Sequence, residues 1–144
     1  MKKIFTISSL LILVAVIIAG CSKRSYDNGY DDTGYWLRKE SGIVVYSDNY
    51  CPYYVLETYN GYTVVRAISS YQPYEGDEIY GDLSRRGNMD LYNWTDDSII
   101  RGEVVEYWLS YADAQYLIDN LCYGYNKTAT KKVIKQNVVK SERR

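Results

Sequence analysis

The sequence predicts a mainly β domain: a small barrel of five to six strands with one C-terminal amphipathic helix. Three observations carry that reading. Between Gly42 and Trp108 the apolar residues fall in short β-branched runs cut by Gly, Asn and Asp, as strands and turns require. Asn60-Gly61 stands between two such runs and marks a hairpin. After Trp108 the apolar spacing changes from two to three and four. With 144 residues, 47% hydrophobic content and a formal net charge of -1, the chain has room for one modest folded domain. It has 0 His, which excludes Ser-His-Asp and Cys-His catalysis and His-ligated metals.

The N-terminus reads as a processing segment. Met1-Lys2-Lys3 is basic, Ile4 to Ala19 is apolar apart from Thr6, Ser8 and Ser9, and Ile18-Ala19-Gly20-Cys21 follows. This stretch resembles the lipobox of bacterial lipoprotein precursors. The resemblance implies that residues 1-20 are a signal peptide and that Cys21 becomes the first mature residue, diacylated on sulfur and acylated on its amine. The partner so implied is a lipid bilayer, gripped through acylated Cys21, since two or three acyl chains anchor stably where one does not. The competing reading is an uncleaved membrane anchor. Ser22 stands where an Asp would favour inner-membrane retention, so the expected location is the bacterial envelope, at the outer membrane facing the periplasm.

Charge divides the remainder. From Tyr26 to Tyr125 there are 6 Lys+Arg against 17 Asp+Glu, a net of -11; from Asn126 to Arg144 there are 7 against 1, a net of +6. Residues 21-34, polar and rich in Gly and Asp, are expected to form a lipidated tether, 35-125 the barrel domain, and 126-144 a disordered basic tail.

Within the domain, Gly42 to Ser47 is a short β-branched strand. Asn60-Gly61 as the centre of a type I′ turn pairs Tyr59 with Tyr62, Thr58 with Thr63, Glu57 with Val64 and Leu56 with Val65. Leu56, Val65, Tyr54 and Ala67 then share the core face. Glu57, Arg66, Val55, Val64, Tyr59 and Tyr62 share a wetter one. Gly76 to Leu83 alternates as a half-buried strand, with Gly81 at an expected bend. Arg85 to Asn88 is a turn, Met89 to Tyr92 a strand, and Ile100 to Trp108 the last strand. Ser110 is a suitable N-cap for a helix over about 110-123. Ala114, Leu117, Ile118, Leu121 and Cys122 form its apolar stripe, and Gly124 suits a left-handed stop. The set describes an SH3-like or OB-like barrel with the helix plugging one end.

With Cys21 acylated, Cys51 and Cys122 remain as an even pair in an oxidising compartment, and a disulfide between them is expected. Closing a loop of about 70 residues is worth roughly 4 kcal/mol in the chain-entropy account. The carboxylates Asp77, Glu78, Asp82, Asp90, Asp96 and Asp97 cluster in sequence, but mostly at turns, where Asp serves local hydrogen bonding. A carboxylate-dependent hydrolase is therefore the remote alternative. No catalytic residue, metal or cofactor is expected, and an acidic domain disfavours nucleic acid.

The aromatic content is the remaining signal. There are 18 Tyr and 3 Trp, and the single Phe, Phe5, lies in the signal segment. Tyr supplies rigid contact area with a polar handle, which suits a recognition surface. Tyr53, Tyr59, Tyr62 and Trp94 are the candidate binding residues. The function expected is a binding or structural module contacting an envelope glycan, peptide or protein, and not an enzyme. The alternative is an acidic inhibitor or partner of a basic envelope-acting protein.

Overall fold

The fold is that of a computed structural model, which describes residues 32–124 and 131–136. The signal segment, Cys21 and most of the tether lie outside the described residues. The chain forms α1 (Asp32–Trp36), β1 (Glu40–Asp48), β2 (Cys51–Thr58), β3 (Gly61–Ala67), β4 (Glu78–Gly81), β5 (Gly87–Asn93), β6 (Ser98–Leu109) and α2 (Tyr111–Tyr123). The strands close into a six-stranded barrel in the order β1-β2-β3-β6-β5-β4. β1-β2-β3 and β4-β5-β6 are two meanders, joined where β1 pairs with β4 and β3 with β6, and every pairing is antiparallel. Mainly β, with one C-terminal helix, is thus the class the sequence predicts. Among the described residues no helix is long and apolar enough to cross a membrane.

The barrel interior is filled by Val44, Tyr54, Leu56, Val65, Ile79, Leu83, Leu91, Ile100 and Val104. Each fully buried Leu, Ile or Val is worth roughly 1.5–3 kcal/mol relative to exposure. Leu56, Val65 and Tyr54 lie here and Ala67 packs against it, so the core face of the hairpin is the one its alternation indicates. Gly81 also faces inward. A Cβ there would collide with the Leu91 side chain, so its absence is what admits Leu91.

The hairpin register differs from the type I′ expectation. Thr58 pairs with Gly61, Glu57 with Tyr62, Leu56 with Thr63 and Val55 with Val64. Partners are therefore shifted by two residues, which preserves the faces. The physical reason lies in the loop. Gly61 alone takes a positive φ, +126°, while Asn60 does not, so Tyr59-Asn60 is the loop and Gly61 opens β3. Thr58 secures it: its Oγ1 donates to Gly61 O at 2.9 Å and accepts from Asn60 N at 3.3 Å.

The expected wetter face is buried. Val55, Val64 and Tyr62 join Val45, Tyr46, Ala114, Ile118 and Ile134 in a second apolar cluster. Glu57 is buried with them, while Arg66 stays exposed and reaches Glu103 at 2.6 Å. The cause is the position of α2, which lies across the outside of β2 and β3 and does not plug an end of the barrel. Ser110 caps α2 as expected, accepting from Asp113 N at 3.2 Å. Leu121 is exposed at the edge of the helix stripe, and Gly124 is right-handed at φ -52°, with no left-handed stop. The Cys51–Cys122 disulfide joins the start of β2 to the end of α2.

Two boundary expectations also change. Asp32 to Gly34 belong to α1 and not to the tether. Residues 131–136, assigned to the basic tail, are ordered against the domain. Ile134 is buried, Ile134 N donates to Gln115 Oε1 at 2.9 Å, and Lys135 N donates to Val45 O at 3.1 Å. One apolar side chain entering the second cluster, together with ion pairs, outweighs the solvating effect of the neighbouring lysines. Residues 125–130 and 137–144 of that tail lie outside the described residues.

Candidate binding surface

The outer face of the β4–β5 hairpin carries Tyr80 and Tyr92, paired directly across the two strands. Both project away from the interior because Ile79 and Leu91, their neighbours, project into it. Trp94 follows two residues after Tyr92 and extends the same row. α1 completes the surface from a distant part of the sequence. Its five residues, Asp-Thr-Gly-Tyr-Trp, are too few and too poor in helix formers to be helical alone, so packing of Trp36 holds the turn. Leu37 N donates back to Thr33 O at 3.0 Å.

Five rings thereby form one connected strip. Tyr35 meets Trp36 edge-on at 5.2 Å, and Trp36 stacks on Tyr92 at 6.0 Å and 22°. Tyr92 meets Trp94 edge-on at 6.3 Å, and Trp94 meets Tyr80 at 6.4 Å. These separations fall within the favourable range for aromatic pairs. The hydroxyls are tied down at the rim: Tyr92 donates to Asp97 Oδ1 at 2.5 Å and Tyr80 to Glu78 Oε1 at 2.7 Å. Trp36 and Tyr92 form the covered middle, while Tyr35 (47% exposed) and Trp94 (44%) present their rings to solvent.

At the Tyr35 end lies a cleft of about 410 Å³ lined by Tyr35, Trp36, Lys39, Asp82, Arg85, Asn88, Met89 and Asp90. Lys39 sits 4.9 Å above the Tyr35 ring and 2.9 Å from Asp82. The Asp82 hydrogen bond, with a smaller contribution from Tyr35, raises the Lys39 pKa above its ordinary value and keeps it charged. The cleft therefore has an aromatic wall and a charged, hydrogen-bonding rim.

Of the four candidates from sequence, only Trp94 belongs to this strip. Tyr59 is 80% exposed in the β2–β3 loop, beside the end of β6, whereas Trp94 lies in the turn before β6 begins. They are at opposite ends of the barrel. Tyr62, only 9% exposed, is covered by the start of α2 and meets Tyr111 edge-on at 6.0 Å. Tyr53 is half-buried against the second cluster. The four do not form one patch. The i, i+2 spacing of Tyr92 and Trp94 is the sequence signal that points to the strip; Tyr35 and Trp36 carry no such signal.

The clustered carboxylates each have a local structural partner. Asp77 is buried and accepts from Tyr74 N and Asn93 Nδ2, both at 2.9 Å. Asp90 accepts from Arg101 Nε at 3.0 Å, and Asp96 accepts from the Tyr71 hydroxyl. Among the described residues no three or more His, Cys, Asp or Glu are grouped to hold a metal ion. No known protein family, curated protein or solved structure matches the chain.

Proposed function

We propose that the protein is an envelope lipoprotein, anchored through acylated Cys21, whose barrel is a glycan-binding module. The observation that carries the binding reading is the strip of five rings from Tyr35 to Trp94, bounded by polar side chains. Flat rings offer faces to the apolar side of a sugar, and the neighbouring amide, carboxylate and guanidinium groups can pair with its hydroxyls. The strip takes over the role first expected of Tyr53, Tyr59 and Tyr62. The basic start, apolar run and Cys21 of the N-terminal segment support the anchor.

Cosedimentation of the full-length protein with purified envelope glycan at low and high salt tests the binding reading. Wild-type retention is expected to survive high salt, and Trp94→Ala with Tyr35→Ala to lose most of it. Retention unchanged in that double variant would refute it. Loss of wild-type retention at moderate salt would favour the acidic-partner reading instead. Mass spectrometry of the mature N-terminus is expected to show acylated Cys21; an unmodified Cys21 would refute the anchor.

A further inference from the structure

The polar end of the strip has a charge opposite to that of its domain. A second hollow, of about 420 Å³, adjoins the cleft and shares Lys39, Asp82 and Arg85 with it, adding Arg38, Glu40 and Ser84. Only six cations lie between Tyr26 and Tyr125: Arg38, Lys39, Arg66, Arg85, Arg86 and Arg101. Three of them line this double cleft. The other three are each paired one-to-one, Arg66 with Glu103, Arg86 with Glu106, and Arg101 with Asp90 of the cleft's own lining.

Inside the cleft the pairing is incomplete. Lys39, at 2.9 Å, and Arg85, at 3.5 Å, share the single carboxylate of Asp82. Arg38 is exposed and makes no ion pair among the described residues. Asp90 also lines the cleft but is taken up by Arg101 at 3.0 Å, so the three cations are left facing two carboxylates, Asp82 and Glu40, in a domain that carries a net of -11. In such a field a local positive excess beside an aromatic wall selects by charge as well as by shape.

We propose that this end of the strip takes an acidic saccharide, its sugar face on Tyr35 and its carboxylate on Arg38 and Arg85, with Lys39 alongside. The proposal rests on the glycan-binding reading above and names the class of glycan. A peptide fits less well. β4 is hydrogen-bonded on both sides within the closed ring, so no strand edge is open there for an extended chain to join. What the cleft offers instead is a flat ring with separate polar groups around it.

The test is titration of the detergent-solubilised full-length protein, followed by tryptophan fluorescence, with tetragalacturonate, with neutral galactotetraose and with pentaglutamate. Tetragalacturonate is expected to bind at least about tenfold more tightly than either of the others. The Arg38→Gln, Arg85→Gln double variant should erase that preference, bringing tetragalacturonate binding down to the level of the neutral saccharide; both side chains are exposed, and an unshifted thermal midpoint checks that the fold persists. Equal binding of the acidic and neutral saccharides, with both lost in Trp94→Ala, would overturn the charge proposal alone and leave the glycan reading standing. Pentaglutamate binding as well as tetragalacturonate would overturn it in favour of a peptide ligand. Failure of both saccharides to bind would overturn both readings.

Discussion

At the scale of single residues, the excess of Tyr over Phe and the excess of acid over base have a common explanation. Tyr80 donates to Glu78, Tyr92 to Asp97, Tyr71 to Asp96 and Tyr123 to Asp48. A phenol is a donor and a turn carboxylate is an acceptor, so each supplies what the other needs on the half-wet outside of a small barrel. Phe could fill the same volume but would leave the carboxylate to water. Tyr54 is the exception. It points into the core, and its hydroxyl is enclosed with no hydrogen-bond partner among the described residues. Burial alone pushes its pKa up. An unsatisfied buried hydroxyl costs about 1–3 kcal/mol, so Tyr54→Phe should stabilise the fold by about 1 kcal/mol. Denaturant unfolding measures this, and a loss of stability above that size would reveal a partner for the hydroxyl.

At the scale of elements, the basic segment 131–136 behaves as a strap. Lys132 and Lys135 both reach Glu75, at 2.5 and 2.8 Å, and Lys131 reaches Asp119 at 3.0 Å. Burial pushes the Glu75 carboxyl up, but hydrogen bonds from Lys132 and Lys135 outweigh it and hold the pKa below its ordinary value of 4.5. A carboxyl with a depressed folded pKa contributes stability above its unfolded pKa and loses it as pH falls through the folded value. The strap should therefore stay docked at neutral pH and loosen below about pH 4.5. Hydrogen exchange at the Lys135 amide, taken relative to the intrinsic exchange rate at each pH, would show this as a loss of protection at acid pH. Glu75→Gln should show fast exchange already at neutral pH, and unchanged exchange in that variant would contradict the account. The strands and α2 were legible from their periods, because β-branched runs, Ser110 and the spacing of Ala114 and Ile118 act locally. The hairpin register was not, since Asn60-Gly61 permits two loops; in the one adopted, Thr58 holds the turn and Gly61, at positive φ, comes close to Leu109 O. Nor could alternation tell that Val55 and Val64 lie under a helix, because a strand buried on both faces loses its wet side. The strip was half legible: Tyr92 and Trp94 share a face by spacing, but Tyr35 and Trp36 reach them only through tertiary packing.

At the scale of the whole molecule, the phenol–carboxylate pairs make the fold sensitive to alkali. Burial, with the Glu78 hydrogen bond, pushes Tyr80 up to about 12. Burial first, and then hydrogen bonds with Tyr123 and Asp96, raise Tyr46 and Tyr71; the Asp97 hydrogen bond raises Tyr92. Each folded pKa lies above the unfolded value near 10, so these contributions are complete below that pH and are lost as pH rises past it. The thermal midpoint should fall above pH 10, with these four tyrosines ionising at higher pH in the folded barrel than free tyrosine does. Tyrosinate absorbance followed together with circular dichroism checks this; full ionisation near pH 10 while the β signal persists would refute it.

Closure of the sheet has a consequence for crowding. An acyl anchor would hold many copies in one plane with their barrels side by side, where encounters far outnumber those in free solution. Under such conditions an open β-edge is a template on which a neighbouring chain can extend the sheet. The ring β1-β2-β3-β6-β5-β4 presents no such template. Neighbouring barrels would then meet through side chains, and between Tyr26 and Tyr125 acids outnumber bases 17 to 6, so the barrel surfaces of dense copies would repel one another.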